Sequence, residues 1–159
     1  MLTIRPARAA DVVQLRTMIR ELAEFERELD QVTISADDLL RDGFGPNPRF
    51  RALIAESDGQ TAGYALFFGY YSSWAGSGLY LEDLFVREQF RLKGIGKSLL
   101  TAVAQIARDE NCCALRWEVL GWNVKAIELY ESLGAEFRDE WRPVLLTGDA
   151  LLRLAENES

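Results

Sequence analysis

Histidine is absent from the 159 residues of this chain. The absence removes a Ser–His–Asp hydrolase, a Cys–His protease, an H-E-x-x-H zinc enzyme and a haem with a histidine axial ligand, since each needs an imidazole. Acid–base chemistry must therefore come from carboxylates, tyrosine, lysine or backbone groups. Cysteine is almost as scarce: the only two are the neighbours Cys112 and Cys113. They are too constrained for an ordinary structural disulfide and lack the spacing of a CxxC metal site. They read as reduced thiols at the start of a buried strand, which points to a reducing, cytoplasmic compartment. No metal is expected. Long apolar runs are missing as well, because no stretch approaches the ~18 apolar residues needed to span a bilayer. The opening Met1-Leu2-Thr3-Ile4-Arg5-Pro6 lacks the pattern of an export signal. Positive charge is in short supply, with 18 Lys and Arg against 25 Asp and Glu, net −7. That balance argues against nucleic acid as a partner and for a cationic small molecule. Residues 21–30 concentrate it, with Glu21, Glu24, Glu26, Glu28 and Asp30 against Arg27 alone. A solvated helix face is the alternative reading of that run.

The composition that remains is ordinary for a globular chain, 48% hydrophobic and 27% charged. A chain of this length can bury roughly 70% of its unfolded surface, so residues 1–159 are expected to form one domain. Leu2–Arg5 reads as a strand stopped by Pro6. Asp11 then looks like a cap before a helix carrying Val12, Leu15, Ile19, Leu22 and Phe25 on one face. Ser35 with Asp38 predicts a second capped helix. From Phe50 the period becomes that of strands: Phe50–Glu56, Thr61–Tyr71 and Gly78–Val86, the first two joined by the hairpin signal Asp58-Gly59. Ile95, Leu99, Val103 and Ala107 mark one face of another helix. A strand over Ala114–Leu120 follows, then a helix from about Val124 to Leu133 stopped by Gly134. A final strand over about Glu136–Leu146 and a helix over Asp149–Ala155 complete the order. Hairpins in the middle and strand–helix–strand units at the end imply an α/β (α+β) fold, a mixed, mostly antiparallel sheet with helices on both faces.

One stretch carries chemistry. Tyr80-Leu81-Glu82-Asp83-Leu84-Phe85-Val86 runs into Arg91-Leu92-Lys93-Gly94-Ile95-Gly96-Lys97, a strand followed by a glycine-spaced turn that opens a helix. Such a turn leaves backbone N–H groups unpaired and converging, and the helix dipole adds partial positive charge there. A pyrophosphate fits, with Gly94 and Gly96 admitting close approach and Arg91, Lys93 and Lys97 supplying cations. A P-loop fails on spacing, and the dinucleotide fingerprint fails because Leu99 stands at its third glycine. A plain tight turn with solvated basic residues is the competing reading.

Arg91-x-x-Gly94-x-Gly96 after an apolar strand resembles the acetyl-coenzyme A loop of the GNAT N-acetyltransferases. Ile4-Arg5-Pro6-Ala7, Glu21-Leu22-Ala23, Asp42-Gly43-Phe44-Gly45, Tyr80-Leu81-Glu82-Asp83 and Gly94-Ile95-Gly96 resemble its diamine acetyltransferase branch in order and near-identical spacing, as do Trp122-Asn123, Tyr130 and Gly134-Ala135. The resemblance implies the GNAT fold and direct acetyl transfer from acetyl-coenzyme A to a small amine. It implies that Glu82 is the general base, acting directly or through water, and Tyr130 the general acid. It implies that Leu84, Phe85 and Val86 pair with the pantetheine arm, that Arg91, Leu92, Lys93, Gly94, Ile95, Gly96 and Lys97 hold the phosphates, and that Asn123 and Tyr130 touch the coenzyme. Asn123 is equally readable as the cap of the helix after it. In a regular strand Asp83 points away from Glu82 and takes no part.

For the amine, the resemblance implies Phe25, Glu26, Ser72, Trp74, Glu82, Arg116, Trp117, Glu118 and Asp139. Trp74 offers a cation–π surface, and Arg116 suits a carboxylate. Ser72 stands where polyamine enzymes carry aspartate, which resembles the sister branch acting on thialysine and similar short amino acids. Glu131, Ser132 and Leu133 replace basic residues that the family places after its tyrosine. A homodimer is implied too. Acetylation of a protein lysine or N-terminus, and a non-catalytic acyl-coenzyme A sensor, are the other readings; a sensor needs neither Glu82 nor Tyr130.

Overall fold

The computed structural model describes residues 1–156. The chain falls into two compact units, Met1–Leu120 and the residues from Gly121 onward. The first holds a five-stranded sheet in the order β1 (Leu2–Pro6), β2 (Arg51–Ser57), β3 (Gln60–Ser72), β4 (Gly76–Val86), β5 (Leu115–Arg116). Neighbours are antiparallel except β4 and β5, which run parallel. The mixed, mostly antiparallel sheet expected from the strand order is therefore present. Asp58 and Gly59 turn the β2–β3 hairpin with φ of 49° and 78°, as an Asp-Gly pair does readily.

Alternation along the strands supplies both faces with apolar side chains. Leu15 and Met18 of α1 (Val12–Phe25) are fully buried against Ala52, Ile54, Tyr64, Leu66 and Phe85 on one side. The intervening residues Leu53, Ala55 and Phe67, with Leu79 and Leu81, are buried on the other, where α3 (Ile95–Asp109) packs across the sheet and buries Leu99, Leu100 and Val103. Each such side chain contributes roughly 1.5–3 kcal/mol relative to exposure. Between these helices in sequence, α2 (Ala36–Phe44) opens with the expected reciprocal cap. Ser35 Oγ accepts from the Asp38 N–H at 3.0 Å and the Asp38 carboxylate accepts from the Ser35 N–H at 2.9 Å. Asp11 precedes α1 without capping it through its side chain. It accepts instead from the Arg8 N–H and from the Arg5 guanidinium at 2.8 and 2.9 Å.

The strand expected over Ala114–Leu120 shortens to Leu115–Arg116, because β4 offers it only Leu79 and Tyr80 as partners. In the second unit, α4 (Val124–Ser132) is capped by Asn123, whose side-chain oxygen accepts from the Ala126 N–H at 3.4 Å. Gly134 follows it at φ 82°. A strand over 136–146 does not form among the described residues, and Val144 and Leu145 are exposed. A strand needs a neighbour to satisfy its N–H and C=O groups, and the described residues of this unit form no other strand. It closes with α5 (Gly148–Ala155). No helix among the described residues is long and apolar enough to cross a membrane.

Candidate active site

The β4 strand is irregular at Glu82. Leu81 pairs with Phe67 and Asp83 with Leu66, so Glu82 has no partner on β3. This is a β-bulge, two residues opposite one, and it shifts the alternation of the strand by one position. The opposite placement of Glu82 and Asp83 expected for a regular strand is thereby corrected. Asp83 lies on the α1 face, where Tyr64, itself fully buried, donates its hydroxyl to Asp83 Oδ2 at 2.9 Å. Glu26, just past the end of α1, feels the charge of Glu82, and so does Tyr64. Three carboxylates therefore gather on one face: Glu26, Glu82 and Asp83.

Their environments differ. Burial first, and then the charges of Glu82 and Glu26, push the Asp83 carboxyl up to about 6, while the Tyr64 hydrogen bond pulls the other way. Burial, then Glu28 and Glu82, raises Glu26. Tyr64 is raised well above the usual phenol range, mainly by burial. Glu82 is exposed to solvent. An exposed carboxylate backed by a half-buried one can take a proton from a cation that approaches over this face.

The same face continues toward β5 as an aromatic tray. Phe68 and Tyr80 stack with centroids 5.3 Å apart, and the Arg116 guanidinium lies over the Tyr70 ring at 5.3 Å. Burial and then Glu118, which accepts the Tyr80 hydroxyl, push that phenol up to about 12. Gly78 is required beneath this tray, because a Cβ there would come within 2.4 Å of the Tyr70 ring. Trp117 is half-buried between Arg116 and Glu118 in sequence.

β5 pairs with β4 only at Leu79 and Tyr80, so among the described residues no strand pairs with Leu84–Val86 on that side, which leaves room for an added strand. The glycine turn begins next to it. Leu92 and Gly94 both adopt positive φ, 63° and 75°, and Gly94 precedes α3 directly. A Cβ at Gly94 would meet nothing within 4 Å, and Leu92 is almost fully exposed. The converging N–H groups at the start of α3, with Lys93 and Lys97 beside them, fit a pyrophosphate. Arg91 does more than the sequence suggests. Its Nε donates to the Val86 carbonyl at 3.0 Å and its guanidinium lies over the Phe25 ring at 4.9 Å. It thus ties the turn to the end of α1, next to Glu26.

Other expected site residues stand apart from this cluster. Ser72 pairs with Gly76, six positions before Glu82 on β4, which is ~20 Å at the usual rise of a strand. Its Oγ accepts from the N–H groups of Trp74 and Ala75, both at 3.2 Å, and so shapes the hairpin tip. Trp74 at that tip is 89% exposed. Within one chain the carboxylates therefore gather against Tyr64, not around Trp74. In the second unit, Tyr130 is buried on α4, and burial raises its phenol. Asp139 lies in an exposed turn. Sequence reasoning set Asp83 aside and did not single out Tyr64, which the structure places beside Glu82 on this face. Two consecutive acids inside an apolar strand were the available signal.

Comparison with known proteins follows the same line. A family model described as "Acetyltransferase (GNAT) family" matches residues 15–135. A thialysine N-epsilon-acetyltransferase of Sus scrofa is 42% identical over 163 positions, covering 96% of each chain. An L-ornithine N5-acetyltransferase of Arabidopsis thaliana is 43% identical over 78% of this chain and 52% of its own. A solved integron cassette protein from the mobile metagenome of V. cholerae superposes with a TM-score of 0.79 at 25% identity, covering 98% of both chains.

Proposed function

This chain belongs to the GNAT acetyltransferase family, and from that premise we propose that it passes an acetyl group from acetyl-coenzyme A to a short cationic amine of the thialysine type. The gathering of Glu26, Glu82 and Asp83 on one face, joined to the glycine turn through Arg91 and Phe25, carries the reading. Thialysine and ornithine are the amines named for two relatives that align with most of this chain.

Bound acetyl-coenzyme A supplies the activated acetyl thioester. Residues 91–97 would hold its phosphates and the Leu84–Val86 edge its pantetheine arm, and Asn123 and Tyr130 are the contacts that the family resemblance implies. An amine of this kind is an ammonium at neutral pH, with a pKa of roughly 10.4. Glu82, exposed on the face the amine approaches, removes the proton directly or through water. Phe25 and Glu26 steer the ammonium end, while Arg116, Trp117 and Glu118 receive the amino-acid end, Arg116 facing its carboxylate. Tyr130 stays protonated at neutral pH because burial strengthens its hold on the proton, and it donates that proton to the departing thiolate. Ser72, Trp74 and Asp139 belong to the amine site in the homodimer of this reading.

Incubation with acetyl-coenzyme A and thialysine, ornithine, diaminopropane or spermidine tests it by thiol release and product mass. The two amino acids are expected to outrun spermidine in kcat/KM, and a preference for spermidine overturns the assignment. Tyr130→Phe keeps the ring against the coenzyme and is expected to lower kcat about 100-fold with little effect on coenzyme binding; undiminished turnover removes the acid role.

A further inference from the structure

A second carboxylate stands directly behind the base. Asp83 Oδ2 is occupied by the Tyr64 hydroxyl, and Oδ1 accepts from no described residue. No buried side-chain oxygen or nitrogen among the described residues lacks a partner, so Oδ1 opens to solvent although Asp83 is otherwise largely buried. The groups that face Asp83 are Tyr64 from β3, Glu82 from its own strand and Glu26 from the end of α1. No lysine or arginine forms an ion pair with it among the described residues. The bulge brings it here, since in a strand that paired Glu82 regularly with β3 Asp83 would face α3.

We propose that Asp83, held by Tyr64 on the face that carries Glu82, is the positioning carboxylate on which the acceptor's proton comes to rest. The inference rests on Glu82 being the base. The N–H bond of the ammonium breaks and its electron pair stays on nitrogen. The proton bonds to a Glu82 oxygen, then passes to Asp83 Oδ1 and from there to solvent, which restores both carboxylates. Burial gives Asp83 a firmer hold on a proton than a solvated carboxylate has. Tyr64 fixes the carboxylate through Oδ2, leaving Oδ1 to exchange protons.

Two shape-preserving variants separate this role from a structural one. Asp83→Asn keeps an oxygen for the Tyr64 hydroxyl and loses the titration. It is expected to lower kcat about tenfold, leave the KM for acetyl-coenzyme A unchanged and abolish the loss of kcat/KM as pH falls through 6. Tyr64→Phe keeps the ring and removes the donor that favours ionised Asp83, so its acid limb is expected to move to higher pH. Limbs that coincide with the wild type in both variants overturn the proposal, as does equal loss of activity at every pH. The profiles use whichever amine of the panel the wild type acetylates best, so a wrong substrate assignment leaves the test standing. Carbon-13 detection of the Asp83 carboxyl in the unliganded protein supplies a readout independent of turnover. A midpoint near 6 supports the proposal, and one in the ordinary aspartate range overturns it.

Discussion

Asp83 is costly to the fold. Its carboxyl titrates at about 6 in the native chain and near 3.9 when unfolded, so the native state holds the proton more tightly. Stability is therefore greatest below the unfolded value and declines as pH rises from about 4 to 6. Above that window the penalty is complete, roughly 2–3 kcal/mol. Asp83→Asn removes the charge and keeps a hydrogen-bond acceptor for Tyr64. The variant is expected to melt about 5 °C above the wild type at pH 7.5, with no difference at pH 4, in paired thermal melts. A substitution that stabilises the protein while slowing it marks a residue kept for chemistry. Arg5 and Asp11 show the opposite case. The guanidinium holds the Asp11 carboxyl below the usual carboxylate range, so that pair stabilises the fold at neutral pH and stops doing so as pH falls through the depressed value.

Among the elements, those set by their own few residues are the ones legible in the sequence. Ser35 with Asp38, Asn123, Asp58-Gly59 and Gly134 all do what their chemistry dictates within four positions of themselves. The glycine turn belongs with them. What could not be read depends on partners distant in sequence. The bulge at Glu82 exists only in the register of β4 against Leu66 and Phe67, and a strand read alone looks regular. Arg91 meets Phe25 across 66 positions, so a cation assigned to phosphate also buttresses the amine side. Ser72, read as a determinant of amine preference, spends its hydroxyl on the backbone of its own turn. The 136–146 segment has strand composition, and pairing, which composition does not contain, decides its fate.

At the scale of the whole molecule, the charge of −7 is divided. Arginines hold Asp11, Glu21, Glu56 and Glu110, whereas Glu26, Glu82 and Asp83, proposed to face the amine, form no ion pair among the described residues. Their field should draw in a cation and weaken as salt shortens the Debye length from ~14 Å at 0.05 M to ~4 Å at 0.5 M. Raising sodium chloride over that range is expected to increase the KM for the amine several-fold with little change in kcat, measured by initial rates at saturating coenzyme. The sheet itself has no use for Glu82. Deleting it would leave Leu81 opposite Phe67 and Asp83 opposite Leu66 as successive pairs, and every side chain of β4 would keep its face. The shortened chain is expected to melt no lower than the full one and to transfer no acetyl group. With Glu82 as the proposed base, scaffold and reaction would be separable by a single codon.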